Sequence, residues 1–174
     1  MSILTAPPVN RAVTTSLFTP IARDLVESER ILQTSLDSSR PGVDQLIAHL
    51  GAYKGKRLRP ALLLLTARAC GGVEPAHHTL AAVVEMIHTA TLVHDDVLDS
   101  ASVRRHVPTV NSLWGNQASI LLGDYLFTQA FHLSATIDDV RACRIIGAAT
   151  NRLCEGELHQ VTCRGRLDLS GCSA

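Results

Sequence analysis

The sequence predicts an all-α fold, and three observations carry that reading. Apolar residues recur at helical spacing from about residue 18 onward. No segment keeps strand-like alternation over a useful length. Aromatic residues make up only 3% of the chain, which points to a core of Leu, Ala and Val.

The elements follow in order. Ile21, Leu25, Val26, Ile31 and Leu32 form one face of a first amphipathic helix, which Pro41-Gly42 ends. A short helix runs from about Asp44 to Tyr53. Gly55 and Pro60 then bracket a basic loop, and Ala61 to Cys70 reads as a buried helix closed by Gly71-Gly72. Pro75 opens a long helix that ends in a cluster of acids. Asn111 to about Ala135 is another long helix, rich in small residues. A sixth runs from about Asp138 to Val161, with Asp138 and Asp139 where acids favour the helix dipole. Residues 1–17, with Pro7 and Pro8, are expected to form a flexible arm, and residues 18–174 a single helical domain.

Composition narrows the function. A chain of 174 residues suits one domain with a substantial core. Lys+Arg and Asp+Glu are both 16, so no overall field recruits nucleic acid or a membrane surface. No apolar run approaches the roughly 20 residues that a transmembrane helix needs. The five cysteines are odd in number and form no Cys-x-x-Cys pair, which suggests reduced thiols and a cytoplasmic setting. Function must come from local clusters.

The acid cluster is the first of these. Asp95, Asp96 and Asp99 end an otherwise apolar segment, an expensive placement unless cations neutralise it. At about 100° per residue, His88, Asp95 and Asp99 fall near one line of the helix, with Asp96 to one side. Oxygen ligands on a rigid element suit Mg²⁺, which keeps waters and is shared with substrate phosphates. The second cluster is Gly55-Lys56-Arg57-Leu58-Arg59-Pro60, where Lys56, Arg57 and Arg59 gather at a helix start and make an anion site. The third is Arg104-Arg105, adjacent arginines that point apart and can grip two phosphate groups. Five cations around three acids suit bound diphosphates. Further on, Glu155-Gly156-Glu157 and Gln160 put polar groups into the last helix.

In this order and spacing the motifs resemble those of the all-trans isoprenyl (polyprenyl) diphosphate synthase family. Gly123-Asp124-Tyr125-Leu126 and Glu155-Gly156-Glu157 add to the resemblance, which covers about residues 20 to 170. It implies an isoprenoid-synthase-type helical bundle, here cut to about the first six helices. It also implies a prenyltransferase of isoprenoid biosynthesis that condenses isopentenyl diphosphate with an allylic diphosphate. Lys56, Arg59 and His88 would hold the isopentenyl diphosphate, with Arg57 nearby and Arg105 helping. Asp95 and Asp99, supported by Asp96, would ligate Mg²⁺, and Arg104 would hold the allylic diphosphate, with Gln160 near it. The small Ala90 and Thr91 before Asp95 point to a long-chain product.

Two departures stand out. His106 follows the arginine pair where the family usually has Gly. Members also carry a second aspartate-rich motif on a later helix, which this sequence does not reach. The chain is therefore expected to be a truncated form with little activity alone, acting as a homodimer or with a full-length synthase. The alternative is a non-catalytic diphosphate-binding or regulatory subunit. A terpene cyclase fits less well, because it has no isopentenyl diphosphate for Lys56, Arg59 and His88 to bind.

Overall fold

A computed structural model describes residues 17–53 and 55–163. The arm expected over residues 1–17 lies almost wholly outside the described residues. Six helices account for most of the described chain: α1 (Ala22–Leu36), α2 (Pro41–Leu50), α3 (Leu58–Ala69), α4 (Pro75–Leu98), α5 (Val110–Ala135) and α6 (Val140–Cys163). The fold is all-α, as the periodicity requires. Single 3₁₀ turns precede α1 (Thr19–Ile21) and follow α2 (Gly51–Tyr53). The chain divides into two compact units, Met1–Ser134 and Ala135–Ala174.

In the first unit α4 is the central helix, packing most extensively on α3 and α1. Its long apolar face gives the reason. Ala81, Ala82, Val83, Met86, Ala90 and Val93 are all buried, and most are small enough for neighbours to approach closely. Ile21, Ala61, Leu64 and Ala81 form one core cluster, closed by Phe18, Leu25, Leu63, Leu65 and Val73. In α3 the buried residues Pro60, Ala61, Leu64 and Ala67 follow helical spacing. Pro60 sits in the first turn, where its missing N–H has no helical acceptor to serve.

Several boundaries differ from expectation. The first helix stops at Leu36, and Pro41 occupies the first turn of α2 instead of ending α1. Proline suits that position because its fixed φ is already helical. Helix α4 starts at Pro75 as the sequence indicated. Its N-terminus is capped reciprocally by Glu74 and His77, whose Nδ1 accepts the Glu74 N–H at 2.9 Å. Helix α5 is bent at Gly115, whose φ of 84° and ψ of 165° leave the helical region. A two-stranded hairpin, β1 (Val103–Arg104) with β2 (Val107–Pro108), joins α4 to α5. It is too short for an alternation pattern to reveal.

In the second unit, α6 carries Asp139 at its start, bonded to the Arg141 backbone N–H at 2.8 Å. No helix among the described residues is long and apolar enough to cross a membrane.

Candidate active site

The basic segment takes its shape at Arg57. Its φ of 51° puts a side-chain-bearing residue in the left-handed region at the start of α3, at a cost of about 1–2 kcal/mol. The side chain offsets this. Nη1 donates to Glu85 Oε1 at 2.6 Å and Nη2 donates to Glu29 Oε1 at 2.9 Å. Arg57 thereby ties the α3 start to α4 and α1. Burial works against the guanidinium charge, but the two carboxylates outweigh it and raise the Arg57 pKa above its ordinary value. Two acids that the motif does not contain thus hold this arginine, a structural duty beyond the substrate-binding role the sequence suggests.

Arg57 and its neighbours border a cavity of about 510 Å³. Lys56, Arg59, His88 and Arg105 line it, with Tyr53, Glu85 and Leu92. Five predicted diphosphate ligands thus meet at one site, Arg57 among them with its guanidinium already paired to Glu85 and Glu29. Burial holds the His88 imidazole below its usual pKa. Arg59 lowers it further, Glu85 opposes this, and Arg105 and Arg104 add smaller repulsions. Burial is the larger cause of this lowering, and the added repulsion from Arg59, Arg105 and Arg104 marks a place where positive potential has accumulated.

Arg105 reaches the cavity from the hairpin. Val103 pairs with Pro108 and Arg104 with Val107, so Arg105-His106 is a two-residue turn. Both residues have positive φ, 52° and 69°, as a type I′ turn demands and as glycine or asparagine supplies more cheaply. His106 stands where the resemblance leads one to expect Gly, a change that bears on the backbone turn, and its positive φ shows what glycine would relieve. His106→Gly is expected to stabilise the chain by about 1 kcal/mol, read as a higher urea midpoint at unchanged slope. The Arg105 Nη1 donates to the Tyr53 carbonyl at 2.9 Å. Gly55 makes room for it, since a Cβ there would lie 2.7 Å from Nη1.

The acids lie at the end of α4, beyond the cavity lining. Asp96 is 1% exposed, and its Oδ1 accepts a bond from Arg104 Nε at 2.8 Å. Its Oδ2 is buried without a hydrogen-bond partner among the described residues. Burial pushes the Asp96 pKa up; Arg104 opposes this, and Asp95 and Asp99 add repulsion. Asp95 is half-buried and Asp99 is exposed, one turn further along. The three acids therefore divide. Asp96 turns inward to hold Arg104, against the expectation that it faces a metal, while Asp95 and Asp99 stand at the surface. No group of three His, Cys, Asp or Glu side chains arranged to hold a metal occurs among the described residues.

Ala90 is fully buried, Thr91 is half-buried, and neither lines the cavity. Gln160 lies on α6 in the second unit and is exposed there. His94, off the acid line, passes over Gly123 of α5 and stacks on Phe127 at 6.0 Å. Sequence reasoning missed Glu29, Glu85 and Tyr53. Only Glu85 carried a signal, as a lone acid on the apolar face of α4.

Known proteins place this arrangement. The family model described as polyprenyl synthetase matches residues 40–173. The chain is 37% identical to an all-trans-nonaprenyl-diphosphate synthase (geranyl-diphosphate specific) of Rhodobacter capsulatus over 87% of this chain and 47% of that protein. It is 38% identical to the octaprenyl diphosphate synthase of Escherichia coli over 80% of this chain and 43% of that one. A crystal structure of a polyprenyl synthase from Caulobacter crescentus, complexed with calcium and isoprenyl diphosphate, superposes with a TM-score of 0.85 at 35% identity. It covers 94% of this chain and 50% of that one. The chain spans about half the length of the curated relatives it matches. The helical fold, the ordered motifs and the family match agree, and the chain belongs to the polyprenyl synthetase family.

Proposed function

We propose that this chain provides the diphosphate-binding part of a chain-elongating prenyltransferase that joins isopentenyl diphosphate to an allylic diphosphate. One observation carries the reading: Lys56, Arg59, His88 and Arg105 line one cavity in a chain of this family. In it Lys56 and Arg59 meet the diphosphate of isopentenyl diphosphate, His88 donates a further hydrogen bond, and Arg105 closes the site from the hairpin. Arg57 neutralises Glu85, which would otherwise repel the ligand. Arg104, steadied by Asp96, faces the allylic diphosphate with its terminal nitrogens. A long-chain all-trans product agrees with the names of the octaprenyl and nonaprenyl relatives and with the small Ala90 and Thr91.

Mg²⁺ is the expected metal, and the donor set fits it. Asp95 and Asp99 would hold it at the surface end of α4, since Mg²⁺ takes one or two carboxylates and fills its other positions with phosphate and water. When bound, it would neutralise charge on a leaving diphosphate. The chain's own residues orient the two diphosphates and supply the arginine charge that stabilises the leaving group. With only two acids facing outward, we expect diphosphate binding by this chain alone without appreciable elongation.

Titration calorimetry with inorganic pyrophosphate tests this. The wild-type chain is expected to bind, and Arg105→Ala to bind about tenfold more weakly, as loss of one charge-assisted contact of roughly 1.4 kcal/mol implies. Absence of wild-type binding overturns the proposal. Incorporation of labelled isopentenyl diphosphate by the chain alone would instead overturn the expectation that it does not elongate. Pyrophosphate binding with no incorporation even beside a full-length synthase would favour the regulatory-subunit alternative.

A further inference from the structure

The hairpin that carries Arg105 is held to α4 by Arg104 and to one short segment that begins in the last turn of α2. This second fastening includes a residue outside every motif. His49, in the last turn of α2, places Nε2 2.7 Å from the Pro108 carbonyl. A carbonyl can only accept, so Nε2 carries the proton and donates. The ring also packs edge-to-face against two aromatic rings, Tyr53 with centroids 5.7 Å apart and Trp114 at 5.1 Å. Four residues on, the Tyr53 carbonyl accepts from Arg105, and the Tyr53 hydroxyl accepts the Val110 N–H at 3.0 Å. The segment His49–Tyr53 therefore grips the chain at Arg105, Pro108 and Val110: the tip of the hairpin, its second strand and the start of α5.

This grip has work to do. A two-strand hairpin with two positive-φ residues at its tip is not stable in isolation. Something else must hold Arg105 at the cavity mouth. The Arg105–Tyr53 bond fixes only the end of a long side chain, and the Arg104–Asp96 bond holds the first strand. His49 instead holds the second strand, across the turn that Arg105 opens. We infer that His49 is a positioning residue for Arg105: it holds the arginine hairpin against the diphosphate cavity and so sets the affinity of that cavity without touching the ligand. The inference rests on the diphosphate reading of the cavity for its consequence, but the latch itself does not.

The test uses the intact chain in three forms: wild type, His49→Leu, which keeps bulk and loses the donor, and His49→Gln, whose Nε2 restores a donor at similar reach. Two readouts are taken. Hydrogen–deuterium exchange over residues 102–109 reports the latch, and the affinity for inorganic pyrophosphate reports its consequence. His49→Leu is expected to speed exchange in that segment and weaken pyrophosphate binding about fivefold, as loss of one hydrogen bond of about 1 kcal/mol implies. His49→Gln is expected to stay within about twofold of wild type on the same scale. Emission from Trp114, the chain's single tryptophan, should change in His49→Leu at unchanged helical circular dichroism. Unchanged exchange in His49→Leu overturns the latch. Faster exchange with unaltered pyrophosphate affinity overturns the link to the cavity. If the wild type binds no pyrophosphate, the functional reading fails, and the exchange data still decide the latch.

Discussion

Arg57→Ala is expected to destabilise the Met1–Ser134 unit by about 3 kcal/mol, toward the lower end of the cost of breaking a buried ion pair. The side chain of Glu85 is only 8% exposed, and Arg57 Nη1 reaches it at 2.6 Å. Removing the guanidinium strands a carboxylate between α3 and α4 and breaks the tie from the α3 start to Glu29 of α1. The same argument gives a rescue. Adding Glu85→Gln removes the stranded charge, so the double variant should be more stable than Arg57→Ala alone and recover roughly half the loss. Urea denaturation of the four species of this cycle measures it. A diphosphate ligand with no structural duty would behave otherwise: Arg57→Ala would be nearly as stable as wild type, and Glu85→Gln would rescue nothing.

Gly123→Ala should cost about 2 kcal/mol, within the range for overfilling a packed interface. A Cβ at Gly123 would run into the His94 ring, whose Nε2, Cδ2 and Cε1 all lie too close to it. His94 has little freedom to move aside. It bonds the Ile120 carbonyl at 3.2 Å, approaches Asp124 at 3.5 Å and stacks on Phe127. The neighbouring Ser119 Oγ donates to the Val93 carbonyl at 3.3 Å, so α4 and α5 are already in close approach there. Thermal melts of Gly123→Ala, His94→Ala and the pair give the check. With His94 shortened, the added methyl should cost much less than in the wild-type background. Equal costs in both backgrounds would show that the ring is not the obstacle.

The sequence disclosed the helices and most of the cavity for a common reason: both follow from local patterns. Periodicity exposes α4, and the spacing of Lys56 and Arg59 after Gly55 announces an anion site. What it concealed depends on contacts between distant residues. Nothing near Arg57 indicates that Glu29 and Glu85, each 28 residues away, would claim it. All three aspartates read as metal-facing, with Asp96 in support although helix angle sets it about 100° aside from Asp95. Packing against the hairpin and Asn111 makes Asp96 an interior group, its carbonyl accepting from Asn111 Nδ2 at 3.2 Å. The hairpin escaped notice because strands of two residues carry no alternation, and its turn lacks the Asn-Gly or Asp-Gly pair that normally signals one.

The bond from Arg104 to Asp96 spans eight residues, whereas that from Arg105 to Tyr53 spans 52. Closing the longer loop carries roughly 1.7 kcal/mol more entropic cost. Adjacent arginines on one turn thus belong to different stages of chain assembly. Arg104 meets its acid as soon as α4 and the hairpin exist. Loop closure alone has Arg105 meet the turn after α2 later, so the cavity is expected to be the later half of this site to form. Pulse-labelled hydrogen exchange during refolding would check that order.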